Sequence, residues 1–128
     1  MKQTYPTRVL LVNDDSDDYI LVRDMLEDAA RDYTVTCVWT PSAAIEAIDS
    51  GIHDVCLVDW RLGAQSGLEL LRDIRQRGCT IPAILLTGSG GNPLDEEDAS
   101  ALAWGHLIKS EMSPAELDRC ICAAIPRA

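Results

Sequence analysis

The sequence predicts a doubly wound α/β domain built on a parallel β-sheet. Three near-continuous apolar runs of strand length, Val9–Val12, Val55–Val58 and Ala83–Leu86, lack polar alternation. Such runs suit strands buried on both faces, as in a parallel sheet covered by helices. Helix-start signals fall between them, giving the order βαβαβαβαβα. Each crossover helix must then return the chain to the same sheet. The chain has 128 residues, which fits one domain able to fold without a metal or disulfide staple.

The first strand, Val9–Val12, runs into Asn13-Asp14-Asp15. A helical face follows at Tyr19, Val22, Leu26, Ala29 and Tyr33. Thr34–Trp39 is β-prone but mixed, which suits an edge strand. Thr40-Pro41 reads as an N-cap with proline at the first helical position, and Asn92-Pro93 repeats the signal. The third strand ends at Asp59, and Ser66-Gly67-Leu68-Glu69 then matches an S-x-x-E capping box. The fourth strand ends at Thr87. Gly105–Lys109 is a short fifth strand, Ser113-Pro114-Ala115-Glu116 is a second capping box, and Leu117, Ile121, Ala124 and Ile125 mark the last helical face.

Twenty-one acidic and 11 basic residues give a formal charge of −10, which argues against direct nucleic-acid binding because phosphates would be repelled. No apolar run approaches the ~20 residues of a membrane span, and Met1–Thr7 lacks a signal-peptide core, so a cytoplasmic protein is expected. Cys37, Cys56, Cys79, Cys120 and Cys122 form no CxxC pair and read as reduced, mostly buried small hydrophobes. Among the 11 bases only Lys2 and Lys109 are lysines. Eight acids lie in two runs, Asp14–Asp18 and Asp95–Asp98. Asp17 and Asp18 read as helix-start acids favoured by the dipole, and Asp15 leans the same way.

In doubly wound sheets the active groups gather at the carboxyl ends of the strands. Those ends carry Asn13 and Asp14, Asp59, Thr87 and Lys109. Adjacent carboxylates repel and require a cation, and oxygen-only ligands suit Mg²⁺. With the metal in place, Asp59 can act as a nucleophile toward a phosphoryl group, a reaction that asks mainly for positioning and charge neutralisation. Lys109 supplies a compact point charge where arginine would impose a planar fork. Thr87 offers a hydrogen bond to a phosphoryl oxygen.

Taken together, Val9-Leu10-Leu11-Val12-Asn13-Asp14-Asp15, Leu57-Val58-Asp59-Trp60-Arg61-Leu62-Gly63, Leu85-Leu86-Thr87-Gly88 and Leu107-Ile108-Lys109 resemble the receiver domain of two-component response regulators. The resemblance covers about residues 7–126 and implies a (βα)5 fold with five parallel strands in the order 2-1-3-4-5 and five helices. It implies that Asp59 accepts a phosphoryl group from a histidine kinase or phosphotransfer protein. It also makes Asp14, Asp59 and the Arg61 backbone carbonyl ligands of Mg²⁺ or another divalent cation, and has Thr87 and Lys109 bind phosphoryl oxygens. Asn13 stands where the first of two adjacent acids is usual, so its part in metal binding is weak or water-mediated. His106 stands where the family commonly has the tyrosine or phenylalanine that couples to Thr87 as a switch, and Ser110 follows Lys109 where proline is usual.

The same resemblance implies one receiver domain over residues 1–128, with no effector domain in this sequence. It acts as a signalling domain that assists its own phosphoryl uptake and loss, not as an enzyme. Output through about residues 93–125 to a downstream protein is expected, and Asp95-Glu96-Glu97-Asp98 favours a basic partner patch there; a homodimer is also open to it. A haloacid-dehalogenase-like phosphatase needs a second acid two residues after the nucleophile, where this chain has Arg61. A flavodoxin-like binder needs a phosphate loop where Asn13–Asp18 stands. The remaining alternative is a receiver-like interaction module that signals without phosphorylation, for which Asn13 and His106 are the arguments.

Overall fold

The computed structural model describes residues 7–29, 32–59, 61–62, 65–87 and 105–125. Five parallel strands form the sheet: β1 (Thr7–Val12), β2 (Tyr33–Val38), β3 (Val55–Asp59), β4 (Ala83–Thr87) and β5 (Gly105–Ile108). Their order is 2-1-3-4-5. Four helices accompany them among the described residues: α1 (Ser16–Glu27), α2 (Pro41–Asp49), α3 (Gly67–Gln76) and α4 (Pro114–Ala124). The helix start at Asn92-Pro93 and the acidic run Asp95–Asp98 lie outside the described residues, as do Trp60 and Trp104.

Successive strand side chains point to opposite faces of a sheet, and here both faces are covered. Val9, Leu11, Val55, Leu57, Ile84 and Leu86 pack against Val22 and Leu26 of α1 and against Leu117 and Ile121 of α4. Leu10, Val12, Cys56, Val58 and Leu85 pack against Ala44 and Ile48 of α2 and against Leu70, Leu71 and Ile74 of α3. This two-sided burial is why the central strands read as unbroken apolar runs. At one edge, β2 alternates exposed and half-buried residues through Thr36, as its mixed composition predicts.

Two of the helix starts behave as the sequence signals. Thr40 Oγ1 accepts the Ala43 N–H at 3.1 Å, and Ser113 Oγ accepts the Glu116 N–H at 3.2 Å. Each satisfies one backbone donor that the helix itself cannot pair. Thr40→Ala is therefore expected to lower stability by about 1 kcal/mol, as read from the urea midpoint. An unchanged midpoint would show that water replaces the cap without cost.

Two expectations need correction. The helical face drawn through Tyr33 is too long, because α1 ends at Glu27 and Tyr33 opens β2 opposite Thr7. The four-residue step from Ala29 to Tyr33 imitates helical periodicity by coincidence. In its strand position the Tyr33 hydroxyl donates to the Asp118 carboxylate on α4, and burial together with that carboxylate raises the phenol's pKa. Second, only Cys56 is fully buried; Cys37, Cys79, Cys120 and Cys122 are half-buried, and all five are free. Burial pushes the Cys56 thiol up to about 12, so it packs as a small hydrophobe. Among the described residues no helix is long and apolar enough to cross a membrane.

Candidate functional site

The parallel register brings the strand ends together. Val12 pairs with Val58, Asp59 with Leu86, and Thr87 with Ile108. The next residues along β1 and β5 are Asn13 and Lys109, so the polar residues close successive strands on one rim. Asp59 and Thr87 are buried there, at 6% and 3% exposure. Lys109 opens a short 3-10 turn, Lys109–Glu111, directly after β5.

Lys109 is the centre of the charge arrangement. Its Nζ lies 2.9 Å from Asp59 Oδ1 and 2.5 Å from Asp18 Oδ2. Burial alone would lower the lysine's pKa, but bonds to the two carboxylates outweigh it and raise it. Lys109 is thus a fixed cation across the neutral range. Its bridging contribution to stability is fully present below the ordinary lysine value and is lost only as pH rises through the higher folded value.

Asn13 is fully buried and uses both ends of its amide. Its Oδ1 accepts the Asp15 N–H at 2.6 Å, and its Nδ2 donates to Asp18 Oδ2 at 3.2 Å. Hydrogen bonds and ion pairs therefore link Asn13, Asp18, Lys109 and Asp59 in one series. Asp15 is the N-cap of α1 and accepts the Asp17 N–H at 2.9 Å. Asp14 is exposed, one residue beyond Asn13. Thr87 Oγ1 pairs with His106 Nε2 at 2.9 Å, although the rest of His106 is exposed.

Two residues of this rim escape the sequence reading. Asp18 is not merely a dipole-favoured acid at a helix start; it turns inward to Lys109. A signal for this was present: Asp18 lies four residues before buried Val22 and eight before buried Leu26, so it extends the same buried stripe toward the strand ends. Gly67 is the other. A Cβ there would lie 2.1 Å from the Asp59 carbonyl oxygen and 2.8 Å from Val58 Cγ1. Only a residue without a side chain lets α3 start so close beneath Asp59. Just before it, Arg61–Leu62 pairs antiparallel with Gln65–Ser66, with Arg61 opposite Ser66.

The sequence matches the response regulator receiver domain over residues 9–121. The chain belongs to that family. The receiver fold is that of signalling proteins. Response regulator RppA of Synechocystis is 32% identical over 104 residues, 80% of this chain and 44% of that protein. An uncharacterized 14.6 kDa protein of Leptolyngbya boryana is 30% identical over 125 residues, 92% of each chain. Among solved structures, the signal receiver domain of a LuxO repressor protein from Vibrio parahaemolyticus superposes with a TM-score of 0.79 at 25% identity, covering 94% of this chain and 90% of the other. The receiver domain of a sensor histidine kinase from Pseudomonas aeruginosa, which has a magnesium ion in its active-site cleft, superposes with a TM-score of 0.78 at 27% identity, covering 94% and 98%. This receiver spans less than half the length of several curated relatives: 34% of CiaR of Streptococcus pneumoniae, 44% of RppA and 29% of the response regulator RpfG of Xanthomonas campestris.

Proposed function

We propose that this receiver accepts a phosphoryl group on Asp59 from a histidine kinase or phosphotransfer protein, with a divalent cation, and thereby switches a protein-interaction surface. The observation that carries the reading is the buried Asp59 carboxylate at a strand end, paired with Lys109 at 2.9 Å. A buried carboxylate so held is oriented at the rim, as a nucleophile must be. A bond forms from an Asp59 carboxylate oxygen to phosphorus as the phosphorus–nitrogen bond to the donor imidazole breaks, and its electron pair leaves with the imidazole. Lys109 has three N–H donors, two of them directed at Asp18 and Asp59. The third is available to a phosphoryl oxygen. Thr87 supplies a hydroxyl to another oxygen once it leaves His106.

The donor set fits Mg²⁺. Asp14 and Asp59 stand at the ends of neighbouring strands, and the Arg61 main-chain carbonyl follows two residues after Asp59. Among the described residues no three His, Cys, Asp or Glu side chains converge; two carboxylates, one carbonyl and retained waters are what Mg²⁺ ordinarily takes. The ion in the cleft of the Pseudomonas receiver supports the assignment. When bound, Mg²⁺ supplies positive charge against the phosphoryl oxygens. Asn13, whose amide adds no negative charge and already engages Asp15 and Asp18, would contribute to it weakly or through water.

The retained Asp59–Lys109 pair favours this reading over a module that signals without phosphorylation. We further infer a single receiver domain acting in the cytoplasm, with output to a downstream protein through about residues 93–125 and not to nucleic acid. Titrating beryllofluoride into the Mg²⁺-loaded protein tests the reading. Saturable amide NMR shifts at Thr87, His106 and Lys109 are expected, and a flat titration would sink it.

The Thr87–His106 bond adds a second expectation. A neutral hydrogen bond is worth about 1 kcal/mol, and this one holds Thr87 in the resting arrangement. His106→Ala is therefore expected to tighten beryllofluoride binding about fivefold. Equal or weaker binding would show that His106 does not restrain Thr87.

A further inference from the structure

Asp18 has no role in the chemistry described so far, yet it bridges Lys109 and Asn13 on the rim. Its Oδ2 is 2.5 Å from Lys109 Nζ and 3.2 Å from Asn13 Nδ2, and its side chain is 20% exposed. Lysine has a flexible four-carbon stem and three rotatable donors. Bonded to Asp59 alone, the ammonium could swing over that carboxylate and turn further N–H groups onto it. The second anchor on α1 fixes its direction. The Asn13 amide also makes sense only beside Asp18: a carboxylate at residue 13 would face the Asp18 carboxylate oxygen to oxygen, at the 3.2 Å now spanned by a hydrogen bond.

We propose that Asp18 is a positioning residue of the phosphoryl site: it carries the negative charge that the Asn13 amide does not, and holds Lys109 so that one N–H stays directed to the incoming group. The proposal rests on the phosphoacceptor reading above and extends it. Charge belongs at residue 13 or at residue 18, but not at both. Asp18 then adds one negative charge to those of Asp14 and Asp59 against a single ammonium, which favours a divalent cation on the rim. It also keeps Lys109 from neutralising Asp59 by itself.

Four proteins test this: wild type, Asp18→Asn, Asn13→Asp and the exchange Asn13→Asp/Asp18→Asn. Mg²⁺ alone is titrated by calorimetry, and the metal-free proteins are unfolded in urea with EDTA. Asp18→Asn is expected to weaken Mg²⁺ binding about tenfold, and the exchange to restore it to within about threefold of wild type. Asn13→Asp alone is expected to lower metal-free stability, since two carboxylates then face each other, and the exchange to restore it. Wild-type Mg²⁺ affinity in Asp18→Asn would overturn the proposal, as would an exchange protein no better than Asp18→Asn. A wild type that binds neither Mg²⁺ nor beryllofluoride overturns the phosphoacceptor reading itself. Wild-type binding that Asp18→Asn leaves unchanged overturns this inference alone.

Discussion

Asp59→Asn is expected to take up no phosphoryl group from acetyl phosphate and Mg²⁺, under conditions in which the wild type is expected to gain one. An amide nitrogen shares its lone pair with the carbonyl and is no nucleophile, and the substitution also removes a charge from the proposed Mg²⁺ site. The fold is expected to survive. Removing one member of a buried ion pair usually leaves its partner uncompensated, at a cost of about 3–5 kcal/mol. Here Lys109 keeps Asp18 at 2.5 Å, and the rim loses one of the two carboxylates that share a single ammonium. The stability change is therefore expected to stay within about 1 kcal/mol. Intact mass after incubation reads the first expectation and the urea midpoint the second. A variant that still labels would remove Asp59 from the site.

Gly67→Ala gives the largest expected loss of stability. The added Cβ meets a backbone oxygen, that of Asp59, at 2.1 Å, and neither β3 nor the start of α3 can yield as a flexible side-chain tip would. Overpacking of this kind costs about 3 kcal/mol. The part of the chain forced to move is the strand end that presents Asp59, so slower phosphoryl uptake should accompany the lower midpoint. Gly78→Ala is the control. Gly78 has φ +87° after α3 with open space around it, so alanine there incurs about 1–2 kcal/mol of backbone strain and no clash. Equal losses at the two positions would show that the contact under Asp59 is not tight.

Most of the fold was legible because burial on both sheet faces writes itself into β1, β3 and β4 as uninterrupted apolar runs. The rim was legible because each run stops at a polar residue, and parallel topology puts those stops together. Periodicity misassigned Tyr33, since a four-residue step can cross the end of a helix unnoticed. Asp18 was missed for a different reason: helix-dipole stabilisation already explains an acid in a first turn. Only its spacing from Val22 and Leu26 hinted that it faces inward. Gly67 left no signal, because what forbids a Cβ there is the nearness of a strand in space, not a local conformation.

The direct measurement is the position of the acyl phosphate. After incubation with acetyl phosphate and Mg²⁺, borohydride reduction converts a phosphorylated aspartate to homoserine, which peptide mass mapping locates. Modification at Asp59, absent from Asp59→Asn, is the expected result. Modification at Asp14 or Asp18, or none in the wild type, would contradict the assignment of Asp59 as phosphoacceptor.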